Sequence, residues 1–387
     1  MKILIAGPIG QVGGREIESG IFAKALEEAG YEVQLLSTSY LDNKSQVFDF
    51  FKTNVTSLYL EVYKETLAIR LFSLFAWLKN GFKGSPYFYV ANKVIKKHFR
   101  YRERVEALIQ RMLVSCDILI YMGSFHSNYE QTFVQLTDRY NKICLVRIVN
   151  KINEEALNPV FKKVDGLVLH SIENCTESVQ ELGVGLRYLD QTTARENDFL
   201  KLEILNSTVK TFAVIGAVYH IKQTELVIKM FLKSSTKNDQ LYVIGRGPDL
   251  NRLKKQYACY NKIIFTGHLN YDELIQFYRK IHCVIIASKW ETGPLVGVEA
   301  MAAGRIIIHN GVGAMTSRLN SLQHDFQFSN EEDFQNICAY IKKLTNVEVN
   351  LISNDYRNLY MQNHSYANIS TQLVSLVESE YIIKKDA

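Results

Sequence analysis

Apolar positions recur along this chain in two patterns, and the two alternate. Short continuous apolar runs read as strands buried on both faces, and stretches with apolar residues every three or four positions read as helices packed on them. The first half opens with a strand at 2–6, a loop holding Gly7, Gly10, Gly13 and Gly14, and a helix with the stripe Ile17, Ile21, Phe22, Ala25, Leu26 and Ala29. Gly30 ends that helix, a second strand runs from Glu32 to Leu36, and further strands are expected at 118–122, 143–149 and 166–170. A polar, helix-poor stretch at 190–210 reads as a linker. The rhythm then restarts, with strands at 211–215, 241–244, 263–265, 283–287 and 306–308 and helices at 223–233, about 249–257, 271–280 and 294–303. A last helical segment covers about 366–382. This alternation predicts an α/β protein of two doubly wound, Rossmann-like domains facing a cleft, 1–195 and 196–365, followed by a tail at 366–387. A length of 387 residues fits that division, since it exceeds what one core usually organises.

The most informative stretch is 288–304, Ser-Lys-Trp-Glu-Thr-Gly-Pro-Leu-Val-Gly-Val-Glu-Ala-Met-Ala-Ala-Gly. Pro294 suits a first helical position and Gly304 the position just past the last, so the short helix between two apolar strands forms a strand–loop–helix–strand unit. Glu299 is the one charged side chain on that helix, and a carboxylate on an apolar helix is costly unless something hydrogen-bonds to it. The loop before the helix directs backbone N–H groups above the strand ends, where an anion is favoured. A carboxylate in the loop (Glu291), another on the helix and an anion site between them suit a ligand bearing phosphates and hydroxyls. A nucleotide sugar is such a ligand.

The run resembles the E-x7-E signature of retaining glycosyltransferases with the GT-B fold, in the large family called group 1 or family 4. That resemblance implies that Glu291 contacts the transferred sugar and Glu299 the nucleotide ribose, with Thr292, Gly293, Pro294 and Leu295 at the phosphates. It also implies a C-terminal helix that returns to the first domain. Gly13-Gly14-Arg15-Glu16 is similar to the family's G-G-x-E element, whose loop approaches the donor phosphates and the acceptor. A dehydrogenase fingerprint fits less well, because the spacing is G-x-x-G-x-x-G and no acidic residue closes the second strand. Gly216-Ala217-Val218-Tyr219-His220-Ile221-Lys222 resembles the family's diphosphate clamp, with Lys222 at the lysine position and Ala217 where arginine is usual. Arg246, in Gly245-Arg246-Gly247-Pro248, is a candidate for the missing charge. The loop with His268 and Leu269 falls where the family meets the nucleotide base, so His268 either touches the base or is simply solvated. His126 is the first-domain candidate for acceptor contact or proton handling. The family's usual first-domain histidines and its N-G-V-D element are absent; Leu189-Asp190-Gln191-Thr192 occupies the latter region.

Composition removes several classes. The hydrophobic fraction of 47% and charged fraction of 22% are those of an ordinary globular protein, and no apolar run approaches the length of a membrane span. The start of the chain reads as a strand rather than a signal peptide. Six scattered cysteines without C-x-x-C spacing suggest reduced, buried thiols in a cytosolic protein rather than disulfides or a zinc site. No Asp-x-Asp occurs, so activity without an essential metal is expected, with cationic groups and helix N-termini neutralising the leaving diphosphate. The net charge of +5 is uneven: residues 51–115 carry twelve Lys or Arg against four Glu, leaving −3 for the rest. The same segment holds twelve aromatics, a composition that suits either the face of an anionic membrane or an amphipathic helix with a solvated side. Nucleic acid is disfavoured, because no recognised binding module is present and the remainder is slightly acidic.

The resemblance therefore implies a retaining glycosyltransferase that moves a sugar from a nucleoside-diphosphate sugar to a saccharide or lipid-linked acceptor in glycan or polysaccharide biosynthesis. It would work in the cytoplasm, peripheral to the membrane if the basic segment binds one. Glu291, Lys222 and His126 are the candidate catalytic residues. Two alternatives stand beside this reading: a nucleotide-sugar epimerase of the same shape, and a catalytically degenerate partner subunit, prompted by Ala217.

Overall fold

The computed structural model describes residues 1–123, 128–149 and 159–386. Its contacts group the chain into two compact units. One comprises Met1–Leu169, Cys175–Leu189 and the residues from Ser370 onward; the other comprises His170–Asn174 and Asp190–Ile369.

Among the described residues the first unit has seven strands: β1 (Lys2–Gly7), β2 (Glu32–Ser37), β3 (Val55–Ser57), β4 (Ile118–Gly123), β5 (Ile143–Ile148), β6 (Gly166–Leu169) and β7 (Gly185–Tyr188). They lie in the order β3-β2-β1-β4-β5-β6-β7, with every recorded pair parallel. Helices cover both faces of a parallel sheet, which is why β4, β5 and β6 are buried along their whole length and read, Arg147 apart, as apolar runs. Within that core Arg147 of β5 is fully buried. Its guanidinium donates to Glu18 Oε1 at 2.6 and 3.1 Å and to the Leu189 carbonyl at 2.6 Å, so the charge is paired rather than stranded.

The second unit carries six strands: β8 (Thr211–Ile215), β9 (Gln240–Ile244), β10 (Ile263–Gly267), β11 (Cys283–Ile286), β12 (Ile306–His309) and β13 (Phe326–Gln327). Their order is β10-β9-β8-β11-β12-β13, again parallel. In each sheet the chain starts centrally, runs to one edge and then turns back to build the other side. The reversal falls between β1 and β4 and between β8 and β11. Open sheets of this kind bind ligands above the carboxyl ends of the strands at that reversal.

Several elements differ from the sequence reading. β3, β7 and β13 have two to four residues each, too few to display a pattern, and each pairs along the edge of a neighbouring strand. The stretch 190–210 is not a bare linker: it holds a helix at Glu196–Leu200, and Phe199, Leu202, Leu205 and Val209 enter the core of the second unit. Two helices not expected from the pattern, Glu331–Ile341 and Asn346–Asn363, begin at side-chain caps on Asn330 and Thr345. The helix expected at 294–303 runs over Leu295–Ala302, with Pro294 extended at its N-cap. The closing helix, Tyr366–Asp386, has the residues from Ser370 onward in the first unit. There Glu378 accepts from the Tyr31 hydroxyl, Glu380 pairs with Arg187, and Lys384 meets Asp165 at 2.9 Å. This is the returning tail that the resemblance implies. Four of the six cysteines are buried and none forms a disulfide. Among the described residues no helix is long and apolar enough to cross a membrane.

Candidate functional site

Three loops at the carboxyl ends of β8, β9 and β10 are joined through their backbones. Gly216 N–H donates to Ile244 O at 2.9 Å, Val218 N–H to Arg246 O at 2.9 Å, and Gly245 N–H to Gly267 O at 2.8 Å. Such close approach requires glycine: a Cβ on Gly245, whose φ is +145°, would stand 1.8 Å from the Gly216 carbonyl oxygen. Gly245→Ala is therefore expected to destabilise the protein by about 3 kcal/mol or more, read as a lower melting temperature. An unchanged melting temperature would show that these loops do not depend on one another. The same backbone bonds bring Arg246, exposed, beside exposed Ala217, so the one cationic candidate sits next to the position that lacks a charge.

Across the reversal point, the loop after β8 meets the loop after β11. Lys222 Nζ forms an ion pair with Glu291 Oε1, which also accepts from Ser288 Oγ at 2.9 Å, and Lys289 N–H donates to Ile221 O at 2.7 Å. Both charged side chains are only partly exposed, Lys222 at 27% and Glu291 at 16%. The lysine proposed for a diphosphate and the carboxylate proposed for a sugar thus neutralise each other.

Behind the Glu291 loop lies a buried polar brace. The Ala314 N–H donates to Thr292 O at 2.8 Å, Gln191 Nε2 to Gly293 O, and Arg318 Nη1 to Pro294 O at 2.7 Å. Three consecutive carbonyls are therefore each engaged by a distant segment. In a planar trans peptide the N–H points opposite to its carbonyl, so the N–H groups of Gly293 and Leu295 are turned away from the brace. Those are the groups that the sequence placed at a phosphate.

Arg318 is itself fixed by a bidentate contact with Asp190 at 2.6 and 2.8 Å. Burial works against the charge on Asp190, but the Arg318 guanidinium outweighs it and holds the carboxyl well below the usual range. His364 Nδ1 lies 3.5 Å from Asp190, yet burial lowers its pKa to about 4 and keeps it neutral. The His170 ring packs on Gly293 so closely that a Cβ there would come within 2.5 Å of it.

Glu299, on the helix Leu295–Ala302, is 3% exposed and accepts from Tyr271 Oη at 3.3 Å. Burial pushes its pKa up to about 8, so near neutrality the carboxyl is largely protonated. Tyr271 begins the helix that follows the His268–Leu269 loop, which links the proposed base-binding loop to the proposed ribose-binding carboxyl. His268 is exposed, and Leu269 packs against the core. Glu299 is closed off from bulk water, and Glu291 is only partly exposed.

In the first unit, Glu16 is buried and bends back to accept the Gly10 N–H at 2.6 Å, while Gly13 N–H donates to Gln46 Oε1 at 2.9 Å. The glutamate of the G-G-x-E element thus braces its own loop and leaves Gly14 exposed at the tip. His126 lies outside the described residues. Sequence reasoning missed His170, Asp190, Gln191, Tyr271 and Arg318 as parts of the site. Asp190 and Gln191 lay in a stretch read as linker, and nothing local distinguishes Arg318 from a surface arginine. Among the described residues no cluster of three or more His, Cys, Asp or Glu is arranged to hold a metal ion.

Residues 196–358 match the family described as glycosyl transferases group 1. Over 110 residues the chain is 29% identical to an uncharacterized glycosyltransferase of Methanocaldococcus jannaschii, covering 27% of this chain and 28% of that protein. Over 124 residues it is 31% identical to the alpha-monoglucosyldiacylglycerol synthase of Streptococcus pneumoniae, covering 31% of this chain and 27% of that one. The matched parts are thus little more than a quarter of either relative's length. Among solved structures, Anabaena HepE in complex with UDP superposes with a TM-score of 0.69 at 12% identity, over 98% of this chain and 100% of that one. Sucrose-phosphate synthase of Thermosynechococcus elongatus gives 0.69 at 13% identity, over 99% and 100%. The similarity to glycosyl transferases group 1 is thus carried by residues 196–358, and the chain has the GT-B fold.

Proposed function

We propose that this protein transfers a glycosyl group, with retention of anomeric configuration, from a nucleoside-diphosphate sugar to a hydroxyl of a saccharide or lipid-linked acceptor in glycan or polysaccharide synthesis. The observation that carries this reading is the braced loop 292–295. Its Gly293 and Leu295 N–H groups point opposite to the anchored carbonyls of Thr292 and Pro294, beside Lys222 and at the reversal point of a parallel sheet. In this reading the Gly293 and Leu295 N–H groups and Lys222 take the diphosphate, with Arg246 adding charge beside Ala217. Glu291 orients hydroxyls of the transferred sugar, Glu299 holds the ribose hydroxyls, and the loop bearing His268 and Leu269 lies against the base.

Departure of the diphosphate builds negative charge, and preorganised N–H dipoles with a cation stabilise it without a metal ion. Gly216 keeps the β8 loop low enough for the phosphates to approach, and Gly13 and Gly14 do the same in the first unit, where His126 remains the candidate for the acceptor proton. Retention rests on the likeness of the Glu291–Glu299 arrangement to retaining members of the family. A nucleotide-sugar donor is supported by Anabaena HepE, which was solved with UDP-glucose, and a lipid-linked acceptor by the name of the pneumococcal relative. The reading places the protein in the cytoplasm, with residues 51–115 toward an anionic membrane surface.

Thermal denaturation with UDP and with GDP tests it. One nucleoside diphosphate is expected to raise the melting temperature by mass action, by the same amount with and without a chelator of divalent ions. No shift with any nucleoside diphosphate would overturn the donor site. A shift without sugar transfer would instead favour the partner-subunit reading, and an epimer formed from donor alone would favour the epimerase.

A further inference from the structure

The helix Leu67–Lys79 packs inward through Ile69 and Ser73 and shows an apolar face to solvent. At about 100° per residue, Leu67, Leu71, Leu74, Phe75 and Leu78 fall on the side opposite Ile69 and Ser73. All five are exposed, Leu67 at 71% and Phe75 at 66%. This is one contiguous stripe along about 20 Å of helix, and scattered surface leucines do not produce it. Arg70 and Lys79 flank the stripe on either side.

The surroundings are predominantly basic, although Arg100 and Arg102 pair with Glu103 and Glu106. Residues 66–102 contain eight Lys or Arg and no Asp or Glu. The helix Lys93–His98 lies against the apolar helix, with the Phe72 and Phe99 rings 5.5 Å apart and Asn92 Nδ2 donating to Phe72 O at 3.4 Å. It adds Lys93, Lys96 and Lys97, all exposed. An apolar stripe with a cationic rim complements one kind of partner: a surface that is apolar inside and negatively charged at its boundary. A second copy of the chain would set two strongly positive patches against each other. The helix has thirteen residues, too few to span a bilayer, so it can only lie along one.

We infer that the helix Leu67–Lys79 docks in the plane of an anionic lipid bilayer, its leucine and phenylalanine face at the boundary of headgroups and acyl chains. Lys79, Lys83, Lys93, Lys96 and Lys97 lie on the lipid phosphates. The inference deepens the lipid-linked acceptor reading above and rests on it for its biological use, but the docking itself stands on the surface alone.

Flotation with vesicles tests it. Vesicles of phosphatidylcholine with phosphatidylglycerol are expected to carry the wild-type protein at low salt, less so at high salt, and vesicles of phosphatidylcholine alone much less. Leu71→Asp with Phe75→Asp should weaken binding at least about tenfold through lost apolar burial. Lys93→Ser, Lys96→Ser and Lys97→Ser together should weaken it on the order of a hundredfold and flatten the salt dependence. All of these side chains are exposed, so the melting temperature and its shift with nucleoside diphosphate should match wild type. Should either variant fold poorly, quenching of wild-type tryptophan emission by brominated acyl chains reads insertion directly, since Trp77 is on the helix. Failure of the wild type to bind anionic vesicles overturns the inference, as does equal binding by the Leu71/Phe75 variant. A wild-type dimer that the Leu71/Phe75 variant dissolves, with no vesicle binding, overturns it in favour of a second copy. Vesicle binding without any nucleotide-induced shift would leave the docking standing and remove the transferase reading alone.

Discussion

Lys222→Ala is expected to lower the rate of glycosyl transfer by about a hundred- to a thousandfold and nucleoside-diphosphate affinity by roughly tenfold or more. Glu291→Gln is expected to separate the two effects. Glu291 is the ion-pair partner of Lys222, so in the ligand-free protein it competes with the diphosphate for that ammonium. Removing its charge frees Lys222 and also removes a negative neighbour from the phosphate site. Turnover should fall because sugar hydroxyls exchange a charged acceptor for a weaker neutral one, while affinity for the free nucleoside diphosphate rises severalfold. Calorimetry with UDP and GDP on both variants, alongside a transfer assay, gives the comparison. Equal loss of affinity in the two variants would mean that Glu291 contacts the nucleotide moiety itself, and the division of roles between them would be wrong.

Glu299→Ala is expected to reduce nucleoside-diphosphate affinity by about thirty- to a hundredfold. A buried carboxylate that accepts two hydroxyl hydrogen bonds contributes more than an exposed one. The same residue makes a pH prediction. Its pKa in the folded protein is about 8, above the ordinary 4.5, because burial disfavours the ionised form. As pH rises from 4.5 towards 8, the unfolded chain loses this proton before the folded chain does, so folding stability falls across that window and levels off beyond it. Glu299→Gln keeps the shape and cannot ionise. Its melting temperature should therefore gain on wild type as pH rises from 5 to 9. Parallel pH profiles for the two proteins would show that the carboxyl is not buried in solution. Ribose hydroxyls that donate to the ionised form should also drive proton release on nucleotide binding near pH 7. Calorimetry in buffers of different ionisation enthalpy measures that release directly.

Much of this site was visible in one dimension because its parts are local. Glu291, Gly293, Pro294 and Glu299 share one loop and helix, and Lys222 follows its strand by seven residues, so spacing and punctuation carry them. Gly245 was visible as part of a glycine-rich loop, but that it must be glycine because a neighbouring carbonyl lies against it became clear only in three dimensions. Asp190, Gln191 and Arg318 were not visible as a group. Arg318 lies more than a hundred positions from the other two, and each is an ordinary polar residue until the fold closes them over the carbonyls of 293 and 294. The exposed stripe on Leu67–Lys79 was equally ambiguous. A run of leucine and phenylalanine reads the same whether it faces a core or a solvent, and packing through Ile69 and Ser73 decides which.

The amino-acid order alone determined the two parallel-sheet domains, the strand-end loops, the paired glutamates and the uneven charge. Apolar periodicity, glycine and proline placement and charge count act over a few neighbouring residues. Only the tertiary structure decided that Lys222 and Glu291 pair, that Glu299 is kept protonated, and which backbone N–H groups the Arg318–Asp190 brace turns outward. Those outcomes depend on desolvation and on contacts between distant segments, which exist only once the chain has folded.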